Sequence, residues 1–148
     1  MNNHQKTTRF TLWVNRIIFG AVFILLFTLP MLLNWYSAIR LLQDHQETAI
    51  TVAFYLCSVA VLYALWSMDR LLRNLLEQQV FTEENVSLIR RVCLCCGAVA
   101  LICLPAGWFY PPLIFLCVIM GFLALVVSVV CQVMDAAVKL REENDLTI

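Results

Sequence analysis

Seven cysteines stand out first: Cys57, Cys93, Cys95, Cys96, Cys103, Cys117 and Cys131. Thiols at that density could ligate a soft metal or pass electrons, and Cys93-Leu-Cys-Cys96 is the tightest group. A zinc site needs four ligands converging in a polar setting, commonly with histidine partners. The two histidines, His4 and His45, are far away in sequence, and every cysteine falls inside an apolar stretch. Cysteine in such surroundings behaves as a small hydrophobe and is poorly reactive, so packing is the expected role. Glu142, Glu143 and Asp145 form a small acidic cluster with no histidine near it, which reads as a solvated tail. There is no Gly-rich phosphate loop, no nucleophile–base pair and no carboxylate pair inside an apolar run. The expectation is therefore no enzyme, no cofactor and no metal.

The elements that position these residues are membrane helices. The chain has 148 residues, 62% hydrophobic and only 14% charged, against about 25% charged in an average soluble domain. Ile17–Leu33 is an apolar run broken by Gly20, Thr28 and Pro30, and Phe10–Val14 lengthens it. It exceeds the roughly 20 residues that cross about 30 Å of hydrocarbon, and it lacks the small-residue cleavage site of a secretory signal, so an uncleaved span is expected. Arg16 sits near its edge, where a long side chain can snorkel. The expected spans are 11–33, 49–68, 92–110 and 113–134, in one transmembrane domain covering 1–148. Asn34–Thr48 is expected to be a polar loop. Pro111 and Pro112 leave room only for a tight antiparallel turn between the last two spans.

Orientation follows from the basic residues. Lys6, Arg9, Arg16, Arg70, Arg73, Arg90, Arg91, Lys139 and Arg141 fall on one side of the expected topology, and only Arg40 falls on the other. That side is the expected cytosolic side, with both termini on it. Trp13 and Trp66 mark the inner interface, and Trp35, Tyr36, Trp108 and Tyr110 the outer one. The Asn85-Val86-Ser87 sequon then lies on the side where it is not glycosylated. No Asp, Glu, Lys or His occupies the middle of a span, so no charged relay crosses the membrane. Small residues such as Ala60 and Ala64, or Ala124 and Ser128, fit close helix packing.

The long polar block Asp69–Arg91 joins the two hairpins as a hinge. Leu65, Met68, Leu71, Leu72, Leu75 and Leu76 fall within an arc of about 140° on one helical face, opposite Asp69, Arg70, Arg73, Asn74 and Glu77. The second span therefore continues as an amphipathic helix, whose apolar face packs on the protein or headgroups or docks a partner helix. Gln78–Phe81 should break it. Thr82 suits the N-cap of a restarted helix, Glu83 and Glu84 suit its first turn, and Phe81 and Val86 hold the two positions of a hydrophobic staple. In the tail, Asp135 and Lys139 are spaced as a helix ion pair, and Asn144 is placed as the residue after the helix end, with Asp145–Ile148 extended. Arg90 or Arg91 is expected near the tail's carboxylates. An internal echo is visible: Met68-Asp69 and Met134-Asp135 each follow an even-numbered span, and Glu-Glu-Asn recurs at Glu83–Asn85 and Glu142–Asn144.

The stretch VFTEENVSLIRR and the closing LREENDLTI resemble the small bacterial membrane proteins grouped as domain-of-unknown-function family 2975. That family's pattern is Phe-Thr, then Glu-Asn and an Arg-bearing helix, then a terminal helix ending Asp-Leu-Thr-aliphatic. Phe81, Thr82, Glu84, Asn85, Arg90 and Arg91 match the first part. Leu140, Arg141, Glu142, Asn144, Asp145, Leu146, Thr147 and Ile148 match the second. Where the family often has a Gly-Pro-like turn, Gln79 and Val80 stand here. The resemblance implies four membrane helices and no established activity; such proteins are often encoded beside a small helix-turn-helix DNA-binding regulator, which suggests the neighbouring gene's product as a cytosolic partner.

The fold expected is all-α: an integral membrane four-helix bundle made of two antiparallel hairpins joined by the hinge, in a bacterial cytoplasmic membrane. The function expected is that of a non-enzymatic regulator or scaffold. Its interaction residues would be Phe81, Thr82, Glu84, Asn85, Arg90, Arg91, Arg141, Glu142, Asn144 and Asp145. Partners would be the lipid bilayer, a cytosolic regulator protein and a second copy of the chain. Zero net charge gives no case for direct nucleic-acid binding. The alternative is a small transporter or binder of lipophilic compounds, using an apolar cavity near Pro30, Pro105 and Gly107.

Overall fold

The computed structural model describes residues 3–40, 44–77 and 80–146. It is all-α, with four helices in sequence: α1 (Asn3–Arg40), α2 (Asp44–Leu76), α3 (Glu83–Phe109) and α4 (Pro112–Leu146). All four are long and apolar enough to cross a membrane, and the chain is a multi-pass membrane protein. Only these structures satisfy every backbone polar group within the segment that lies in hydrocarbon. The exposed side chains on the outer helices are mainly large hydrophobes, such as Phe23, Phe27 and Met31 on α1 and Phe115, Phe122 and Leu125 on α4.

Successive helices are antiparallel and packed in chain order: α1 on α2, α2 on α3, α3 on α4. Among the described residues no close packing joins α1 to α4, so the bundle is open on that side. One end of it, the hinge end, holds the start of α1, the end of α2, the start of α3 and the end of α4. Asn15 on α1 donates to the Leu65 carbonyl of α2 at 3.1 Å there. At the opposite end Gln46 donates to the Phe109 carbonyl at 3.2 Å.

The packing seams are built from small residues. On the α2–α3 seam the thiols of Cys57 and Cys103 touch at 3.9 Å, and Asn74 reaches Asn85 at 2.9 Å. Between those anchors Ala60, Ala64, Ser67 and Leu71 follow a spacing of three and four residues, the period of a helix seam. Opposite them, Leu88, Cys95, Val99, Cys103 and Ala106 are buried. On the α3–α4 seam Cys93 donates its thiol to the Ala124 carbonyl at 3.2 Å, and Cys131 to the Val86 carbonyl at 3.7 Å. Small side chains let the backbones approach, which is the main device for helix association in lipid. The cysteines serve here as small packing residues, and no three Cys, His, Asp or Glu among the described residues are grouped to hold a metal.

Two local readings are corrected. The segment expected as a polar loop, Asn34–Thr48, is helical through Arg40 and again from Asp44; only 41–43 lie outside the described residues. The polar residues there contain no Gly or Pro to stop a helix, so polarity marks the membrane edge and the helix runs past it. Likewise α4 continues through Asn144 to Leu146, so Asn144 does not end it; Thr147 and Ile148 lie outside the described residues. The turn at Pro111–Pro112 is as expected. Tyr110 closes α3 by donating to the Ala106 carbonyl at 3.0 Å, and Pro112 opens α4 at a position where its missing N–H costs nothing.

Candidate functional site

The residues singled out by sequence meet at the hinge end. α2 runs without a break from its apolar part to Leu76, with Leu71 and Leu72 buried and Arg70, Arg73 and Glu77 exposed. The apolar face of this exit segment is therefore turned into the protein. Glu77 is in a turn, 78 and 79 lie outside the described residues, and Val80–Thr82 are non-helical.

Thr82 caps α3 with extended dihedrals, φ −131° and ψ 148°. Its hydroxyl accepts the Asn85 N–H at 3.4 Å, and its carbonyl accepts from Asn85 at 3.1 Å and Val86 at 3.3 Å. Glu83 and Glu84 occupy the first turn, where the exposed N–H groups favour negative charge. Val86 turns into a small core with Cys131 and Val138, joined by Ile89 and Met134, while Phe81 stays exposed.

Asn85 is fully buried and works in two directions. Its amide donates to the Val80 carbonyl at 2.9 Å, closing the bend behind the cap. Its oxygen accepts from Asn74 at 2.9 Å, tying the bend to α2. Glu84 adds a second tie, an ion pair with Arg70 at 2.6 Å. The Phe-Thr-Glu-Glu-Asn signature thus forms a clasp between the end of α2 and the start of α3. The Arg70–Glu84 and Asn74–Asn85 pairs are not readable in sequence, because each depends on the angle at which the two helices meet.

Around this clasp lie two charge clusters. Asp69 bridges Arg16 of α1 at 3.3 Å and Arg73 at 2.6 Å. Asp135 accepts from Lys139 at 2.8 Å. These two groups lie beyond the apolar run that ends at Met134. The hydrogen bond from Lys139 holds the Asp135 carboxyl below its ordinary range, and Arg90 lowers it further; the same hydrogen bond holds Lys139 up. Arg90 lines the same clefts as Asp135, which meets the expectation of an arginine beside a tail carboxylate. Arg91 is half-buried.

Beyond Asp135, α4 keeps contact with α3 through Val138 and then runs on with an exposed surface. Val138 is buried against α3, but Leu140, Arg141, Glu142, Glu143 and Asn144 are exposed, over about 18 Å of helix from Met134 to Leu146. So the ten residues divide: Thr82, Glu84 and Asn85 build the clasp, Arg90 faces α4, Arg91 is half-buried, Phe81, Arg141, Glu142 and Asn144 are turned outward, and the side chain of Asp145 lies outside the described residues.

A further feature lies nearer the opposite end. An apolar cleft of about 460 Å³ between α2 and α3 is lined by Ala53, Leu56, Ile102, Pro105, Ala106 and Phe109 among others. Gly107 is not part of it; a Cβ there would meet Ile114 Cγ1 at 2.6 Å, so this glycine serves the close approach of α3 and α4. Pro30 is on α1, outside the cleft lining.

No curated protein and no solved structure matches the chain. Residues 32–148 match the family described as "Protein of unknown function (DUF2975)", from the latter part of α1 through the clasp to the end of α4, and the chain belongs to that family.

Proposed function

We propose that this protein is a non-enzymatic membrane regulator or scaffold, and that its hinge end holds a cytosolic partner such as a small helix-turn-helix regulator. The observation that carries this reading is the form of α4. A helix needed only to span would end near Met134, yet α4 runs on to Leu146 with Val138 the one buried side chain among those described, and an outward face carrying Leu140, Arg141, Glu142 and Asn144. An exposed Leu flanked by charges, on a helix that runs past its apolar stretch, offers a partner one apolar contact with polar contacts beside it. The concentration of Lys and Arg at the same end supports a cytosolic position for it and for both termini, in the cytoplasmic membrane of a bacterium. The test is co-purification of the neighbouring gene's product with the full chain and with a chain ended after Leu140. Full recovery with the shortened chain removes the α4 extension from this reading.

A second reading is favoured by the apolar cleft between α2 and α3: a transporter or binder of lipophilic compounds. Its volume and its lining by Ala53, Ala106 and Pro105 suit an alkyl chain or a flat apolar ring. Under this reading, expression changes the cellular accumulation of hydrophobic dyes, and an Ala53→Phe substitution abolishes the change. Unaltered dye accumulation removes it.

A further inference from the structure

Each hairpin ends, on the hinge side, in the same arrangement of charge. In the first, Arg16 of α1 and Arg73 of α2 take opposite oxygens of Asp69. In the second, Lys139 of α4 pairs with Asp135, and Arg90 of α3 lines a shared cleft with that carboxylate. Each aspartate follows a methionine at the end of an apolar run, and each takes its own helix's cation four residues on. One cation from the first helix, one carboxylate and one cation from the second leave each triad with a surplus positive charge.

We propose that the first of these clefts binds the phosphate group of an anionic phospholipid, and that the second is its weaker counterpart. The first cleft has the profile of such a lipid. Its deeper part, about 220 Å³, is walled by Phe19 and Trp66 below Asn15, Arg16 and Asp69. A neighbouring polar cleft of about 310 Å³ shares Trp66 and Asp69 with it and is bounded by Arg70, Arg73, Asn74 and Glu77, and we take it as the mouth. An acyl chain suits the aromatic wall, and a headgroup suits the mouth.

The donors are preorganised. The Asp69 side chain is 17% exposed, whereas those of Arg16 and Arg73 are 56% and 58% exposed. The carboxylate therefore faces inward and fixes two guanidinium groups that face outward. A guanidinium has five N–H donors, and each of these commits one to Asp69, leaving a fork free for a phosphate. Arg70, itself 53% exposed, adds a third guanidinium at the mouth beside its pairing with Glu84; Glu77 stands in the same lining, so the phosphate is recognised by free guanidinium donors and not by net charge. Among the described residues the second cleft offers one guanidinium, Arg90, and the Lys139 ammonium beside Asp135 and Glu83, against three guanidiniums at the first, which makes it the weaker of the two. Basic clefts between membrane helices at the headgroup level are suited to anionic lipids.

The experiment uses the full chain in mild detergent, stripped of lipid. Binding is read by native mass spectrometry and by thermal shift with phosphatidylglycerol, phosphatidylcholine or inorganic phosphate. Phosphatidylglycerol is expected to be retained and to raise the melting temperature, with phosphatidylcholine and inorganic phosphate far weaker. Arg16→Gln and, independently, Arg73→Gln should each weaken retention about tenfold, while Lys6→Gln, outside the cleft, leaves it unchanged. Equal retention of phosphatidylcholine, or full retention by both folded arginine variants, overturns the proposal. An equal effect of inorganic phosphate overturns the lipid as its source.

Discussion

Asn74 on α2 donates its side-chain amide to Asn85 on α3 at 2.9 Å, and Asn85 is completely buried. Two polar side chains thereby meet where the second and third helices converge, and Asn85 spends its own amide on the Val80 carbonyl. A buried amide with partners on both sides stabilises one geometry of the bend and penalises the others.

The clasp can be weighed by substitution. Asn85→Ala strands the Asn74 amide and the Val80 carbonyl, and should lower unfolding stability in detergent by about 1–3 kcal/mol. Asn74→Ala should cost less, because Asn85 keeps its bond to Val80. In a double-mutant cycle the pair should show a coupling of at least about 0.5 kcal/mol; strict additivity would show that the two amides do not act together.

Thr82 has a smaller, separable part. Thr82→Ala should cost roughly 1 kcal/mol, and Thr82→Ser should retain most of the stability, since either hydroxyl can accept the Asn85 N–H. Chemical denaturation of the purified protein compares the two.

Two substitutions of similar size should differ by position. Gly107→Ala places a Cβ 2.6 Å from Ile114 Cγ1 and 3.3 Å from the Ile114 nitrogen, and should destabilise by about 1–3 kcal/mol. Gly97→Ala meets nothing within 4 Å and should be neutral or stabilising, as helix propensity favours alanine. Melting curves that rank them the other way would contradict the close approach of α3 to α4.

Ser67 offers a prediction of opposite sign. Its side chain is fully buried on α2, and its hydroxyl has no hydrogen-bond partner among the described residues. Ser67→Ala removes that unsatisfied group from a seam of small residues and should raise stability by about 1 kcal/mol. A loss of stability would mean that the hydroxyl has a partner.

The cysteines test the register of α2 on α3. In membranes treated with a mild oxidant, a variant retaining only Cys57 and Cys103 should cross-link within the chain, because their sulfurs lie 3.9 Å apart. A variant retaining only Cys57 and Cys131 should not. Cys95, 8% exposed on α3, should react slowly with a membrane-permeant maleimide, and fast labelling would contradict its packing role.

Much of this was legible in the chain. The four apolar runs, the cap at Thr82 and the Pro111–Pro112 turn each rest on local chemistry, and local chemistry can be read from residue order. The segment around Asn34–Thr48 misleads because leaving the membrane and leaving the helix are different events, and only the first is written in polarity. The clasp was half legible. Thr82 and the two glutamates announce a helix start, but the partners Arg70 and Asn74 are fixed only by the crossing of α2 and α3. The echo of Met68-Asp69 in Met134-Asp135 is visible as text, yet its physical content, a carboxylate with cations from both helices of its hairpin, exists only once the helices are paired.

Photo-cross-linking in intact cells tests the role of the α4 extension most directly. A photoreactive amino acid is placed at Arg141, and in a separate chain at Pro111 on the opposite end, with the neighbouring gene's product tagged. An adduct with that product from position 141 and none from position 111 is the expected result. No adduct from position 141, or equal adducts from both, would contradict a partner held at the hinge end.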